Sequence, residues 1–311
     1  MGAMWARGKW VGLWAALGAA ALTPAGASAA APACQIERVA SLPLDLERHL
    51  AMVSVQVNGS PVWMGIDTGA QTSLLTADAA ARLGLPHDRT RRTNVVSGAG
   101  TTLVQNVRVN DLQVGDVMFS DLSLAAVDLP QPSGAHRWAD GLIGADILAD
   151  YDVELDFVGG TLGLYRVSGC PHMQPPWQGA YVGVPATLTR THLLLLPVQI
   201  DGQDAAGLFD SGSDRERVAH AAALRVGVTD AMLARDPDSG GLAAGGASRV
   251  MRVHHFRLLR IGADSFAAPI MEVGSLPDPT ADMLIGLDYM RTRRFWLSYA
   301  TRTVFIQQPP H

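Results

Sequence analysis

After about position 30 the chain is built mainly of apolar, β-prone runs separated by turn residues. Residues 51–57 (AMVSVQV) and 61–67 (PVWMGID) flank Asn58-Gly59, a pair that favours a two-residue hairpin turn, and Asp201-Gly202 stands in the same relation to its own neighbours. The second strand of each hairpin therefore runs into a carboxylate, Asp67 in one case and Asp210 in the other. Thr76 predicts an N-cap for a short helix over 77–83 with Gly84 as its stop, and AHAAALRVG (219–227) repeats that arrangement. Glycines between β-prone residues in VVSGAGTTL (95–103) and GGLAAGGAS (240–248) predict two flexible hairpins. The elements add up to an all-β protein, mainly strand with short helices.

The same pattern occurs twice. VQVNG (55–59) returns as VQIDG (198–202), Asp67-Thr68-Gly69-Ala70 as Asp210-Ser211-Gly212-Ser213, and ARLGL (81–85) as LRVGV (224–228), all at an offset of 143. Further on, LQVGDVMF (112–119) matches LRIGADSF (259–266) at an offset of 147, and DGLIGADIL (140–148) matches DMLIGLDYM (282–290) at 142. Two copies of one unit fill most of the chain, joined through the Pro-rich stretch 170–185, which reads as a linker.

Composition narrows the chemistry. Arg7 and Lys9 precede an apolar run from Trp10 to Leu22 and an Ala-x-Ala site near Ala29, the pattern of a cleaved signal peptide over residues 1–29. The run is shorter than the ~20 residues that a bilayer span needs. The expectation is an exported protein, periplasmic or secreted, without a stable membrane anchor after cleavage. Losing those two cations takes the formal charge from −5 to −7, which disfavours nucleic acid and other polyanions as partners. Lys9 is the only lysine, so the mature chain has neither a P-loop lysine nor a Schiff-base lysine. The only cysteines, Cys34 and Cys170, lie outside any metal-ligand spacing and are expected to pair in an oxidising compartment.

Asp-[Thr/Ser]-Gly-[Ala/Ser] after an apolar strand, with LIG some seventy residues downstream (142–144 and 284–286), resembles the retropepsin-like aspartic proteases. The resemblance covers about 50–166 and 186–307, and its tandem form is similar to the single-chain, two-lobed organisation of pepsin-like enzymes. It implies two homologous lobes related by a pseudo-twofold axis, lobe 1 over 30–169 and lobe 2 over 186–311, each giving half of one active site. It further implies an aspartic endopeptidase acting as a monomer on peptide or protein substrates, with no cofactor and no metal. Asp67 and Asp210 would be catalytic; Thr68, Gly69, Ala70, Ser211, Gly212 and Ser213 would support their loops, the Thr68 and Ser211 hydroxyls bracing one against the other. Gly98, Gly100, Gly245 and Gly246 would sit in flaps over an extended substrate.

The residues agree with that chemistry. Two carboxylates within hydrogen-bond reach share a proton, so one acts as base and the other as acid on a water held between them. Ser213 is expected to donate to Asp210, making Asp210 the more acidic partner and leaving the shared proton on Asp67. The second copy departs from the pattern at Asp214-Arg215-Glu216-Arg217, a charged run expected to be solvated surface. If that run splays the loop, the alternative is a non-catalytic peptide binder on the same scaffold. His254 and His255 are neighbours on one predicted strand and so face opposite ways, a poor chelate. Asp140 and Asp282, beside the LIG segments, read as loop residues, and IQQPPH (306–311) as a loose tail.

Overall fold

The computed structural model describes residues 34–47, 50–97, 100–129, 139–242 and 248–308. The expected signal peptide and anchor-free mature start, and Gly98, Gly245 and Gly246, lie outside the described residues. Strands dominate, and no described helix exceeds the six residues of Ala77–Arg82 and His220–Arg225. Both hairpin turns form as expected. Asn58 and Gly59 take φ of 49° and 77°, Asp201 and Gly202 take 50° and 86°, so all four central residues are left-handed, as a turn matching strand twist requires. Thr76 caps its helix by accepting from the Ala79 N–H at 3.0 Å.

The two LIG segments explain their own glycines. Ser60–Ile66 pairs in parallel with Gly141–Ile143, which runs antiparallel to Leu74–Thr76, which is parallel in turn to Val117–Val127. Gln203–Phe209, Met283–Ile285, Arg217–Ala219 and Ile270–Gly274 make the same three pairings in the other large sheet. A short strand thus slides beneath each Asp loop, and there the chain has no room for a side chain. A Cβ on Gly144 would lie 2.9 Å from the Ala70 carbonyl oxygen, and one on Gly286 only 2.4 Å from that of Arg215.

A third, six-stranded sheet joins the two halves. Its order is Gln35–Pro43, Thr161–Ser168, Asp152–Asp156, Arg294–Ser298, Thr303–Gln307 and Tyr181–Pro185, so a terminal hairpin from each half meets the other at its centre. The central strands are covered on both faces: Phe295, Trp296 and Leu297 are all buried, and in the facing strand Asp152 and Glu154 are buried along with Val153 and Leu155. The Trp296 ring nitrogen is satisfied by Asp152 at 2.8 Å. The stretch 170–185 is more than a linker, since Tyr181–Pro185 is the sheet's edge strand and Met173 and Trp177 pack beside Trp296. Nor does the tail start at 306: Ile306 is a buried strand residue.

Cys34 and Cys170 form the expected disulfide, with sulfurs 2.07 Å apart and a sequence separation of 136. It fastens the first strand of the six-stranded sheet to its neighbour's end. Reduction, or Cys34→Ser with Cys170→Ser, should cost about 2 to 4 kcal/mol, visible as a lower thermal midpoint with reductant than without. An unchanged midpoint would show that the denatured chain is already held compact without the bridge.

Candidate active site

Asp67 and Asp210 each terminate a strand, and each has its backbone fixed by the strand beneath it: the Asp67 N–H donates to Ile143 O and the Asp210 N–H to Ile285 O, both at 3.0 Å. The loops that follow are tied in the same way, Ala145 N–H to Ala70 O at 2.9 Å and Leu287 N–H to Ser213 O at 2.8 Å. These bonds leave both carboxylates little freedom of position.

Four hydrogen bonds then lock one loop to the other. Thr68 Oγ1 donates to Phe209 O at 2.7 Å and accepts from the Ser211 N–H at 3.0 Å; Ser211 Oγ donates to Ile66 O at 2.6 Å and accepts from the Thr68 N–H at 3.1 Å. Each hydroxyl both donates and accepts, and both residues are buried. Residues 143 positions apart are thereby held in register, and the aspartates before them face each other and share a hydrogen bond between their carboxyl groups.

The Gly positions are needed for this approach. A Cβ on Gly69 would lie 2.4 Å from Asp210 Cγ, and one on Gly212 only 2.3 Å from Asp67 Cγ. Each glycine is the floor on which the opposite carboxyl rests. Of the expected flap residues, only Gly100 is described: it is exposed, at φ +129°, and closes the hairpin of His87–Ser97 with Gly100–Val114 opposite Ser97. Asp238–Leu242 pairs with Ser248–His255 in the second half.

The dyad is asymmetric, and in the sense opposite to that expected from Ser213. The Ser213 hydroxyl does not reach Asp210; it donates to Arg215 O at 2.8 Å and accepts from Arg217 Nη1. Asp67 Oδ1 accepts two backbone N–H groups, Gly69 at 3.0 Å and Ala70 at 2.9 Å, whereas Asp210 Oδ1 accepts one, Gly212 at 3.0 Å. Burial raises both carboxyls above the ordinary range. At Asp210 the Asp67 charge adds to burial in raising the carboxyl, and the Arg217 cation opposes both. The second backbone donor at Asp67 favours the ionised form there, the reverse of the asymmetry expected from Ser213.

Of the charged run expected to be solvated surface, only Arg215 is exposed. Arg217 is buried and donates through Nε to the equally buried Glu272 at 2.8 Å, with Asp214 and Ser213 on its other nitrogens. The Glu216 carboxyl accepts from the Tyr289 N–H at 3.0 Å, beside the start of the helix Leu287–Met290, and burial raises its pKa. The run stays folded against the loop because each of its buried charges is paired or hydrogen-bonded. Asp140 and Asp282 are structural: each accepts a backbone N–H, from Trp63 at 2.9 Å and from Ala206 at 3.0 Å, and each pairs with an arginine, Arg82 or Arg225. His254 is buried against Asp236 while His255 is exposed, so the two rings do not converge.

Residues 53–147 match the family model described as aspartyl protease. That segment belongs to the retropepsin-like aspartyl protease family. The match runs from the first hairpin to the helix after LIG, so it takes in Asp67 and the strand beneath it. A search of curated proteins finds no match.

Proposed function

We propose that this protein is an aspartic endopeptidase whose two copies of one unit, set about a pseudo-twofold axis, each contribute one aspartate to a single site. The observation that carries the reading is the hydrogen bond between the Asp67 and Asp210 carboxyls on loops braced by Thr68 and Ser211. Family membership of residues 53–147 supports the first half of the site, and the matching strand pairings around Asp210 support the second.

In this reading Asp67, ionised, takes a proton from a water lodged against the pair as the water attacks a peptide carbonyl, and Asp210 gives its proton to the carbonyl oxygen. The resulting diol then collapses with cleavage of the C–N bond: Asp67 gives the proton it took from water to the leaving nitrogen, and Asp210 recovers its proton from the diol hydroxyl. The substrate is an extended peptide under the hairpins, held through backbone hydrogen bonds. The leader pattern and the disulfide support an exported enzyme. Digestion of a peptide library across about pH 3 to 7, with and without a pepstatin-type inhibitor, tests the reading. Internal cleavage suppressed by the inhibitor is expected. Retention of peptides on a column of the protein, with no cleavage at any pH, would leave a binding module instead.

A further inference from the structure

Directly after each Asp loop a three-residue strand carries one side chain into the main core and the next onto the opposite face. In the first half Leu75 enters the core, and Leu74 turns the other way to pack with Ala125 and Val127 beneath Val95 and Val104 of the hairpin. Leu74 is paired in register with Ala125. The wall between the catalytic loop and the hairpin is thus apolar around Leu74 on this side, and its nearest buried polar group, Asn106, carries no charge and is hydrogen-bonded to Thr93 and Ser123.

In the second half Val218 enters the core and Arg217 turns the other way. Its partner in the same parallel register is Glu272. An ion pair stands where the first half has Leu74 and Ala125, and it is extended rather than isolated. Ser239 of the second hairpin donates to Glu272 Oε1, while Arg215 Nη1 lies 3.5 Å from the same oxygen and its Nε 3.5 Å from Asp214. Arg217 and Glu272 form the buried floor, and the Arg215 side chain, 46% exposed, is the part that meets solvent. Its two carboxylate contacts are long, and a guanidinium carries five N–H donors.

We propose that this polar wall makes the two sides of the scissile bond chemically unlike. The first half takes an apolar side chain, and the second takes one bearing hydrogen-bond-accepting oxygen, acidic or amide, recognised by Arg215 over the Arg217–Glu272 floor. The proposal rests on the protease reading. An apolar side chain pressed against the second wall would strip water from Arg215 and return no hydrogen bond, which is where discrimination comes from. A cationic side chain would meet Arg215 with like charge.

Peptides of one backbone, varied to Leu, Gln, Glu or Lys at each position on either side of the cleaved bond, give kcat/KM profiles for three proteins. For the wild type, Gln or Glu on one side should exceed Leu and Lys there by roughly 10- to 100-fold, with Leu preferred on the other side. Arg215→Leu should erase the acceptor preference. Arg217→Leu with Glu272→Ala rebuilds the apolar pair of the first half, and should turn the preference on that side alone toward Leu. Exchanging a buried ion pair for packed apolar groups is commonly neutral or stabilising, and Arg215→Leu, at a half-exposed site, gives an independent reading should the double variant not fold. Cleavage with Leu preferred on both sides, or an acceptor preference indifferent to Arg215→Leu, would overturn this proposal and leave the protease reading standing. Absence of any cleavage would overturn both.

Discussion

Asp210→Asn and Asp67→Asn should each lower kcat by about 10³-fold or more on any peptide that the wild type cleaves, and the double variant should be little worse than either. On the protease reading the two carboxyls would work as one unit: an amide at 67 has no charge with which to take the water's proton, and an amide at 210 has no acid proton to give. A side effect separates this from misfolding. Burial, aided by the Asp67 charge, raises Asp210 well above the ordinary aspartate value of 3.8. A carboxyl with a raised folded pKa adds its stability in full below the unfolded value and loses it as pH rises through the folded value. Asparagine has no proton to lose. Measured by thermal melts, Asp210→Asn should therefore gain stability relative to the wild type on going from below pH 3.8 to neutral pH. A difference in midpoint that does not change with pH would show that Asp210 carries no strained charge, and would remove the basis for placing the shared proton there.

How much of this was legible in the sequence follows from what each feature depends on. The hairpins, the Thr76 cap, the paired Asp motifs and the disulfide rest on local chemistry or on repetition, and both can be read along the chain. Ser213 misled because a hydroxyl next to a carboxylate invites a local bond, whereas in the fold it is claimed by Arg217, four residues on, and by the Arg215 carbonyl. The charged run misled for a related reason. Charges usually seek water, and only the register that sets Glu272 beside Arg217 makes burial tolerable. The signal was nevertheless present, since Arg217 sits at the offset of 143 from Leu74 and Glu272 at 147 from Ala125. Two charges of opposite sign at equivalent positions of an otherwise apolar repeat mark an ion pair, provided the two strands are known to be neighbours.

The glycines of the two loops give the second large effect. A methyl group on Gly212 would stand 2.3 Å from Asp67 Cγ, and one on Gly69 2.4 Å from Asp210 Cγ, both far inside van der Waals contact. Neither carboxyl has room to retreat, because Asp67 is held by the Gly69 and Ala70 amides and both loops are pinned by Thr68 and Ser211. Gly212→Ala or Gly69→Ala must therefore spread the dyad, and a displacement of about 1 Å at a reacting group can cost about 100-fold in rate. The loss should appear in kcat and in affinity for a pepstatin-type inhibitor together, because both need the carboxyls at their native separation. It should also break the coupling: with the carboxyls apart, each titrates on its own, and the acid and base limbs of the pH–rate profile move toward each other. Were either alanine variant to keep wild-type kcat, inhibitor affinity and pH profile, the two side chains would not be in contact in solution, and the single shared site proposed for this chain would have to be abandoned.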